Sequence, residues 1–74
     1  MNIYRVTTER GFENEVLDSA LFSSKKNALV RAQELTDERR GTTEYFMCCV
    51  SVDRLAPDYE GEFQFAETII CHEL

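Results

Sequence analysis

The sequence predicts an α+β fold, a single ββαββ domain over residues 1–74 in which one helix packs on one face of a four-stranded, mostly antiparallel sheet. A length of 74 residues is enough for one small domain. One segment, residues 24–40, carries apolar residues at helical spacing. Four other segments, two before it and two after it, have the alternation or β-branched and aromatic content of strands, and we expect each pair to form a hairpin.

The first predicted hairpin joins two short strands. The first strand covers Ile3 to Thr8, with Tyr4 and Val6 on one face. The second covers Val16 to Ser23, and Gly11 to Asn14 is the predicted turn between them. The alternation of the second strand leaves open which of its faces points inward.

The predicted helix, about residues 24–40, has signals at both ends. Ser23 or Ser24 can cap its N-terminus, because a serine oxygen accepts a hydrogen bond from a free backbone N–H of the first turn. Arg39 and Arg40 suit the negative end of the helix dipole, and Gly41 can adopt the positive φ that often follows the last turn. The stripe predicted to face the sheet consists of small and apolar residues: Ala28, Leu29, Ala32, Leu35 and Thr36.

The second predicted hairpin is formed by strands over Glu44 to Leu55 and Glu62 to His72, joined by the loop 56–61. Glu67 interrupts the alternation of the last strand, so a bulge or a fray is expected near Ala66–Glu67. Period-2 alternation predicts Phe46, Cys48, Val50 and Val52 towards the helix, Tyr45, Met47, Cys49 and Ser51 away from it, and Phe63, Phe65, Ile69 and Cys71 inward.

The net charge of −6 is concentrated in the last part of the chain. Residues 44–74 hold seven acids and one base, which is −6 by themselves. An acidic surface repels nucleic acid and membrane headgroups and attracts basic protein surfaces. We therefore expect a protein partner with a basic surface, and neither direct nucleic-acid binding nor membrane binding. The longest apolar run, residues 45–50, is far shorter than a membrane span, and without a secretory signal pattern we expect a cytoplasmic location.

The sequence argues against an enzyme. Nucleophilic catalysis needs a base beside the nucleophile, and the single histidine, His72, is poorly placed for that task in the last few residues. Strand alternation predicts Cys48 and Cys71 towards the core and Cys49 and His72 away from it, so these four cannot surround one metal ion. We expect no catalytic residue, no metal site and no cofactor. A thiol or metal-binding protein is the less favoured alternative, and it would use Cys49 and His72.

Two surfaces are candidates for binding. Spaced carboxylates beside an aromatic ring can dock on a groove lined by arginine and lysine, although the same acids could serve solubility alone. The acidic cluster consists of Asp58, Tyr59, Glu60 and Glu62. The alternative is a homodimeric structural or regulatory module that pairs through the sheet face left free by the helix. Its candidate residues are Tyr45, Met47 and Cys49, with Val30 on the outer side of the helix as a lesser candidate.

One segment resembles a pattern common in small phage-encoded proteins. It runs Phe22-Ser23-Ser24-Lys25-Lys26-Asn27-Ala28 and continues through Ala32 to Glu34-Leu35, about a fifth of the chain. In that pattern a strand ending in an aromatic residue and a serine cap leads directly into an alanine-striped helix. Together with the small size and the acidity, the chain resembles the anti-CRISPR and anti-restriction inhibitors of phages and mobile elements. The resemblance implies a stoichiometric inhibitor that occupies a basic nucleic-acid groove or a subunit interface on a defence complex of the host cell. It assigns no functional residue.

Overall fold

A computed structural model describes residues 1–11 and 15–74 of the chain. Residues 12–14 of the turn predicted over Gly11 to Asn14 lie outside the described residues. No helix within the described residues has the length and apolar character that a membrane crossing requires. The described elements, in chain order, are β1 (Ile3–Arg10), β2 (Glu15–Phe22), α1 (Lys25–Arg39), a 3-10 turn (Thr43–Tyr45), β3 (Cys48–Pro57) and β4 (Phe63–Glu73).

The predicted fold class is confirmed: four strands form one antiparallel sheet in the order β2-β1-β3-β4, with α1 on one face. The two hairpins meet through their first strands, so β1 and β3 form the centre of the sheet. Their ladder runs without interruption from Ile3↔Leu55 to Arg10↔Cys48. We call the face that packs on α1 the helix face and the opposite one the helix-free face.

The core lies between α1 and the two central strands. Ala28 and Ala32 are fully buried, and their small side chains let the helix approach the three valines Val6, Val50 and Val52 of the helix face. Thr36 is also fully buried, and its hydroxyl donates to the carbonyl of Ala32 at 2.8 Å, which satisfies its polar group. The predicted inward stripe is therefore confirmed, with Leu35 buried and Leu29 packed at its margin.

Both predicted ends of the helix are confirmed. The Oγ atom of Ser24 accepts a hydrogen bond from the backbone N–H of Asn27 at 3.2 Å, and Gly41 follows the last turn with φ +83°. Arg39, in the last turn, ties three further elements to the helix through its guanidinium group. It donates to the Thr8 hydroxyl at 2.7 Å, pairs with Asp18 at 2.8 Å and stacks 4.5 Å from the ring centre of Tyr45.

The start of the third strand was predicted wrongly. The strand begins at Cys48, not at Glu44, because the chain first forms the 3-10 turn that brings Tyr45 under Arg39 on the helix face. Phe46 then lies on the surface with 70% of its area exposed, and Met47 adopts a φ of +65°. Tyr45 and Met47 therefore do not lie on the helix-free side of β3 beside Cys49, as unbroken alternation had predicted.

The bulge expected near Ala66–Glu67 is confirmed, and β4 has a second one. The register steps from Arg54↔Glu67 to Leu55↔Phe65, leaving Ala66 extra, and from Val52↔Ile70 to Asp53↔Thr68, leaving Ile69 extra. Each bulge moves the following side chains to the opposite face. A similar step in β2, from Thr8↔Asp18 to Glu9↔Val16, leaves Leu17 extra.

The inward-facing residues of the last strand were predicted wrongly, because the face of the strand that carries Phe63, Phe65 and Cys71 is the helix-free face. Cys71, which pairs with Ser51, lies on the helix-free face and is exposed. Phe63 and Phe65 also lie on the helix-free face and are exposed. Only Ile69 of the four packs against the core, where it is joined by Ile70.

Candidate functional site

The β3–β4 hairpin projects beyond the rest of the sheet. Pairing between β1 and β3 ends at Ile3↔Leu55, whereas pairing between β3 and β4 continues to Pro57↔Phe63 and is then closed by a turn. We call residues 55–65 the hairpin arm. The arm contributes to an elongated shape, with principal extents of 42 × 26 × 15 Å for the described residues. An arm of this kind presents both of its faces and its tip to a partner.

The tip of the hairpin arm is organised by Asp58. Its carboxylate oxygen Oδ1 accepts hydrogen bonds from the backbone N–H groups of Glu60 at 2.8 Å and of Glu62 at 3.0 Å. Its backbone N–H donates to the carbonyl of Glu62, and its carbonyl accepts from Gly61, which has a φ of +88°. Asp58 is therefore a turn-forming residue, and the tip offers Tyr59, Glu60 and Glu62 as outward groups.

The outward groups of the tip are acidic around one aromatic ring. Tyr59 is 96% exposed, and Glu60 and Glu62 on either side of Gly61 are also exposed. Residues 55–66 contain three acids and no base. The nearest base before them in the chain, Arg54, is bonded to Glu67 at 3.3 Å and to Asn2 at 3.4 Å. The tip is thus a local source of negative potential that protein cations can approach from solvent.

The hairpin arm also has an apolar side, which the sequence analysis missed. Phe63 and Phe65 project from the helix-free face, and Phe65 is 60% exposed. They were placed inward because they alternate with Ile69, but Ile69 is the extra residue of a bulge, and Phe63 and Phe65 share their face with the exposed Cys71. Counted from Ile70, which lies on the helix face, period-2 alternation places both rings on the helix-free face, so the error lay in the choice of the inward face.

The four residues of the predicted dimer surface do not form one patch, although two of them line a common groove. Tyr45 lies under Arg39, Cys49 lies on the helix-free face, and Val30 is exposed on the outer side of α1. Met47 and Cys49 do line one groove of about 390 Å³ at the end of the sheet opposite the hairpin arm. Other residues that line this groove include Gly11, Phe46, Glu73 and Leu74.

The centre of the helix-free face is polar. Arg5 and Asp53 form an ion pair at 3.2 Å, and the other carboxylate oxygen of Asp53 accepts from the Thr68 hydroxyl at 3.0 Å. Thr7 is buried between the flanking side chains. The apolar patch predicted for this face is therefore replaced by a polar centre with apolar residues at the hairpin-arm end.

The thiols and the histidine do not converge on one site. Cys49 shares the helix-free face with Cys71, whereas His72 pairs with Val50 and lies on the helix face. Partial burial, followed by the neighbouring Cys71 and Glu9, raises the pKa of the Cys49 thiol to about 11. A thiol with this pKa is protonated at neutral pH and is a poor nucleophile. Within residues 1–11 and 15–74, no group of three or more His, Cys, Asp or Glu side chains is arranged to hold a metal ion.

Comparisons with protein-family models, with curated proteins and with solved structures found no significant match for this chain.

Proposed function

We propose that this chain is a non-enzymatic interaction protein, an inhibitor of the phage type that binds a basic surface of a nucleic-acid-handling defence complex through its acidic C-terminal hairpin. The observation that carries the proposal is the projecting hairpin arm, whose tip presents Tyr59, Glu60 and Glu62 to solvent. Asp58 contributes by holding the turn.

The physical argument is electrostatic complementarity. A protein that handles nucleic acid presents lysine and arginine side chains to phosphate groups, and carboxylates bind the same side chains through charge-assisted hydrogen bonds. Opposite potentials also accelerate the encounter of the two proteins and disfavour partners with an acidic surface. At the tip, the carboxylates of Glu60 and Glu62 can pair with such cations, and the exposed ring of Tyr59 can stack on an arginine side chain.

The proposal is tested by plasmid transformation of bacterial strains that each carry one CRISPR or restriction system. Wild type is compared with a Glu60→Lys, Glu62→Lys double variant at the tip. The matched control is Glu34→Lys, Glu38→Lys, which makes the same change in net charge at exposed positions of α1. We expect wild type and the control to restore transformation in at least one strain and the tip variant to lose this effect. Failure of wild type in every strain, or full activity of the tip variant, would contradict the proposal.

A homodimeric structural or regulatory module is a second candidate function. It is favoured by the groove beside Met47 and Cys49 and by the exposed ring of Phe46 next to it. Sedimentation of wild type against Met47→Lys tests this candidate. A dimer that dissociates in the variant would support it, whereas a monomer in both proteins would exclude it.

A further inference from the structure

The apolar side of the hairpin arm lies next to the acidic tip, and we infer that Phe63 and Phe65 anchor the interface in an apolar cleft of the partner whose rim is rich in lysine and arginine. This inference rests on the proposed function and deepens it, because it assigns different tasks to the two parts of one surface. The acids of the tip attract and orient the partner, and the two rings supply most of the contact that holds it.

The sheet register brings the apolar residues into one continuous strip. Ile3, Leu55 and Phe65 form a row across β1, β3 and β4 on the helix-free face, and Pro57 and Phe63 form the next row towards the tip. Directly opposed residues of neighbouring strands have their Cβ atoms close together, so each row is a set of adjacent side chains. Leu21, on β2, lies on the same face one row further from the tip, where it pairs with Arg5.

The residues of the strip differ in exposure: Leu55 is buried, whereas the rings of Phe63 and Phe65 project from the sheet. Leu55 is only 9% exposed although α1 lies on the other side of the sheet, whereas Phe65 beside it is 60% exposed. Leu55 therefore packs beneath the strip, and the rings of Phe63 and Phe65 are accessible to a partner protein. Aromatic side chains on a rigid element are the residues that most often dominate a protein interface, because they bury a large area with few rotatable bonds to fix.

The charges around the strip select the kind of partner. A second copy of this chain would bring a second acidic arm to the contact, and because residues 55–66 contain three acids and no base, like charges would oppose its approach. A partner with a basic rim around an apolar cleft instead pairs its cations with Glu60 and Glu62 while the rings enter the cleft. The strip and the tip thus fit a heterologous partner.

A direct test uses a defined probe and does not require that the partner be known. Purified wild-type protein is titrated with a short synthetic peptide of alternating lysine and leucine, and backbone NMR shifts locate the binding site. Matched peptides of lysine with glycine and of glutamate with leucine separate the charge and apolar contributions. Phe65→Ser is the test variant, and Phe46→Ser is the control, because Phe46 is a comparably exposed ring at the opposite end of the sheet.

We expect the lysine–leucine peptide to shift the resonances of residues 55–65 and to bind Phe65→Ser at least ~10-fold more weakly, as for other interface anchors. Phe46→Ser should bind it like wild type, and the two matched peptides should bind wild type more weakly. Binding elsewhere on the molecule, or equal affinity of Phe65→Ser and wild type, would overturn the inference. A wild-type dimer that Phe65→Ser dissociates would also overturn it, because the strip would then be covered by a second copy.

The outcome separates this inference from the proposed function. If the peptide binds at the strip but no bacterial strain responds to wild type, the defence-complex function is rejected and the anchor site stands. If a strain responds and Phe65→Ser inhibits it as well as wild type does, the anchor role is rejected and the acidic tip alone carries the contact.

Discussion

Arg39 connects the C-terminal turn of α1 to both strands of the first hairpin, and replacing it with methionine should destabilise the fold strongly. Only 14% of the surface of the Arg39 side chain is exposed. Its guanidinium donates to the hydroxyl of the fully buried Thr8, pairs with Asp18 and stacks on Tyr45. Methionine keeps most of the aliphatic stem, so Arg39→Met removes these polar contacts while it preserves much of the packing.

The size of the effect follows from the three contacts. A hydrogen bond from a charged group to a buried hydroxyl is worth about 1.5–3 kcal/mol. The stacking on Tyr45 adds about 0.5–1 kcal/mol. The pair with Asp18, whose side chain is 42% exposed, is screened by solvent and adds less than about 1 kcal/mol. We therefore expect Arg39→Met to lower the free energy of unfolding by about 2–5 kcal/mol, which corresponds to a fall in Tm of at least about 8 °C for a domain of this size.

The assay is urea unfolding followed by far-UV circular dichroism, with the m value used to verify that the same surface unfolds in each variant. Arg31→Met is the matched control, because Arg31 is an exposed arginine of the same helix. Its free energy of unfolding should change by less than about 0.5 kcal/mol. A Thr8→Val variant completes a double-mutant cycle, in which Arg39→Met should cost less when the hydroxyl is already absent.

Equal stabilities of Arg39→Met and Arg31→Met would refute this reasoning. A coupling energy near zero between Arg39 and Thr8 would refute the part that concerns their hydrogen bond.

Four further outcomes are expected from the described contacts. Ser24→Ala removes the helix cap and should lower the free energy of unfolding by about 1 kcal/mol in urea titrations, with Ser23→Ala as a near-neutral control. Ala32→Leu forces a larger side chain between the helix and the sheet and should cost about 1–3 kcal/mol or prevent folding, as seen by the loss of cooperative thermal unfolding. Alkylation of Cys49 by iodoacetamide, followed by peptide mass spectrometry, should rise with a midpoint near the pKa of about 11 and not near the ordinary 9.0. Because the unfolded chain releases this proton first, the free energy of unfolding should fall as the pH rises from 9.0 towards about 11, and Cys49→Ser should reduce this slope.

The parts of the fold that depend on neighbouring residues in the chain were predictable. The helix was found with both ends because the cap at Ser24, the apolar stripe and Gly41 all act within a few residues of one another. The start of the third strand was not predictable in this way, because the 3-10 turn before it places Tyr45 against Arg39, and different elements supply these two residues. Local patterns carry no record of such tertiary contacts.

The candidate site also has a part that the sequence predicts and a part that only the structure reveals. The acidic tip was identified from composition alone, since acids and glycine around a proline indicate an exposed turn. The role of Asp58 as the organiser of that turn required its hydrogen bonds. The outward position of Phe63 and Phe65 required the register, because alternation alone does not show which face of β4 packs on the helix.

The three bulges have a consequence for how the protein behaves in a crowded solution. All of them fall on the two outermost strands, at Leu17 in β2 and at Ala66 and Ile69 in β4, while the central ladder is regular. A straight outer strand offers evenly spaced amide groups on which another chain can add itself and begin aggregation. Bulges twist the outer strand and interrupt its evenly spaced amide groups. A small sheet with such edges can therefore expose aromatic rings with less tendency to grow into fibrils.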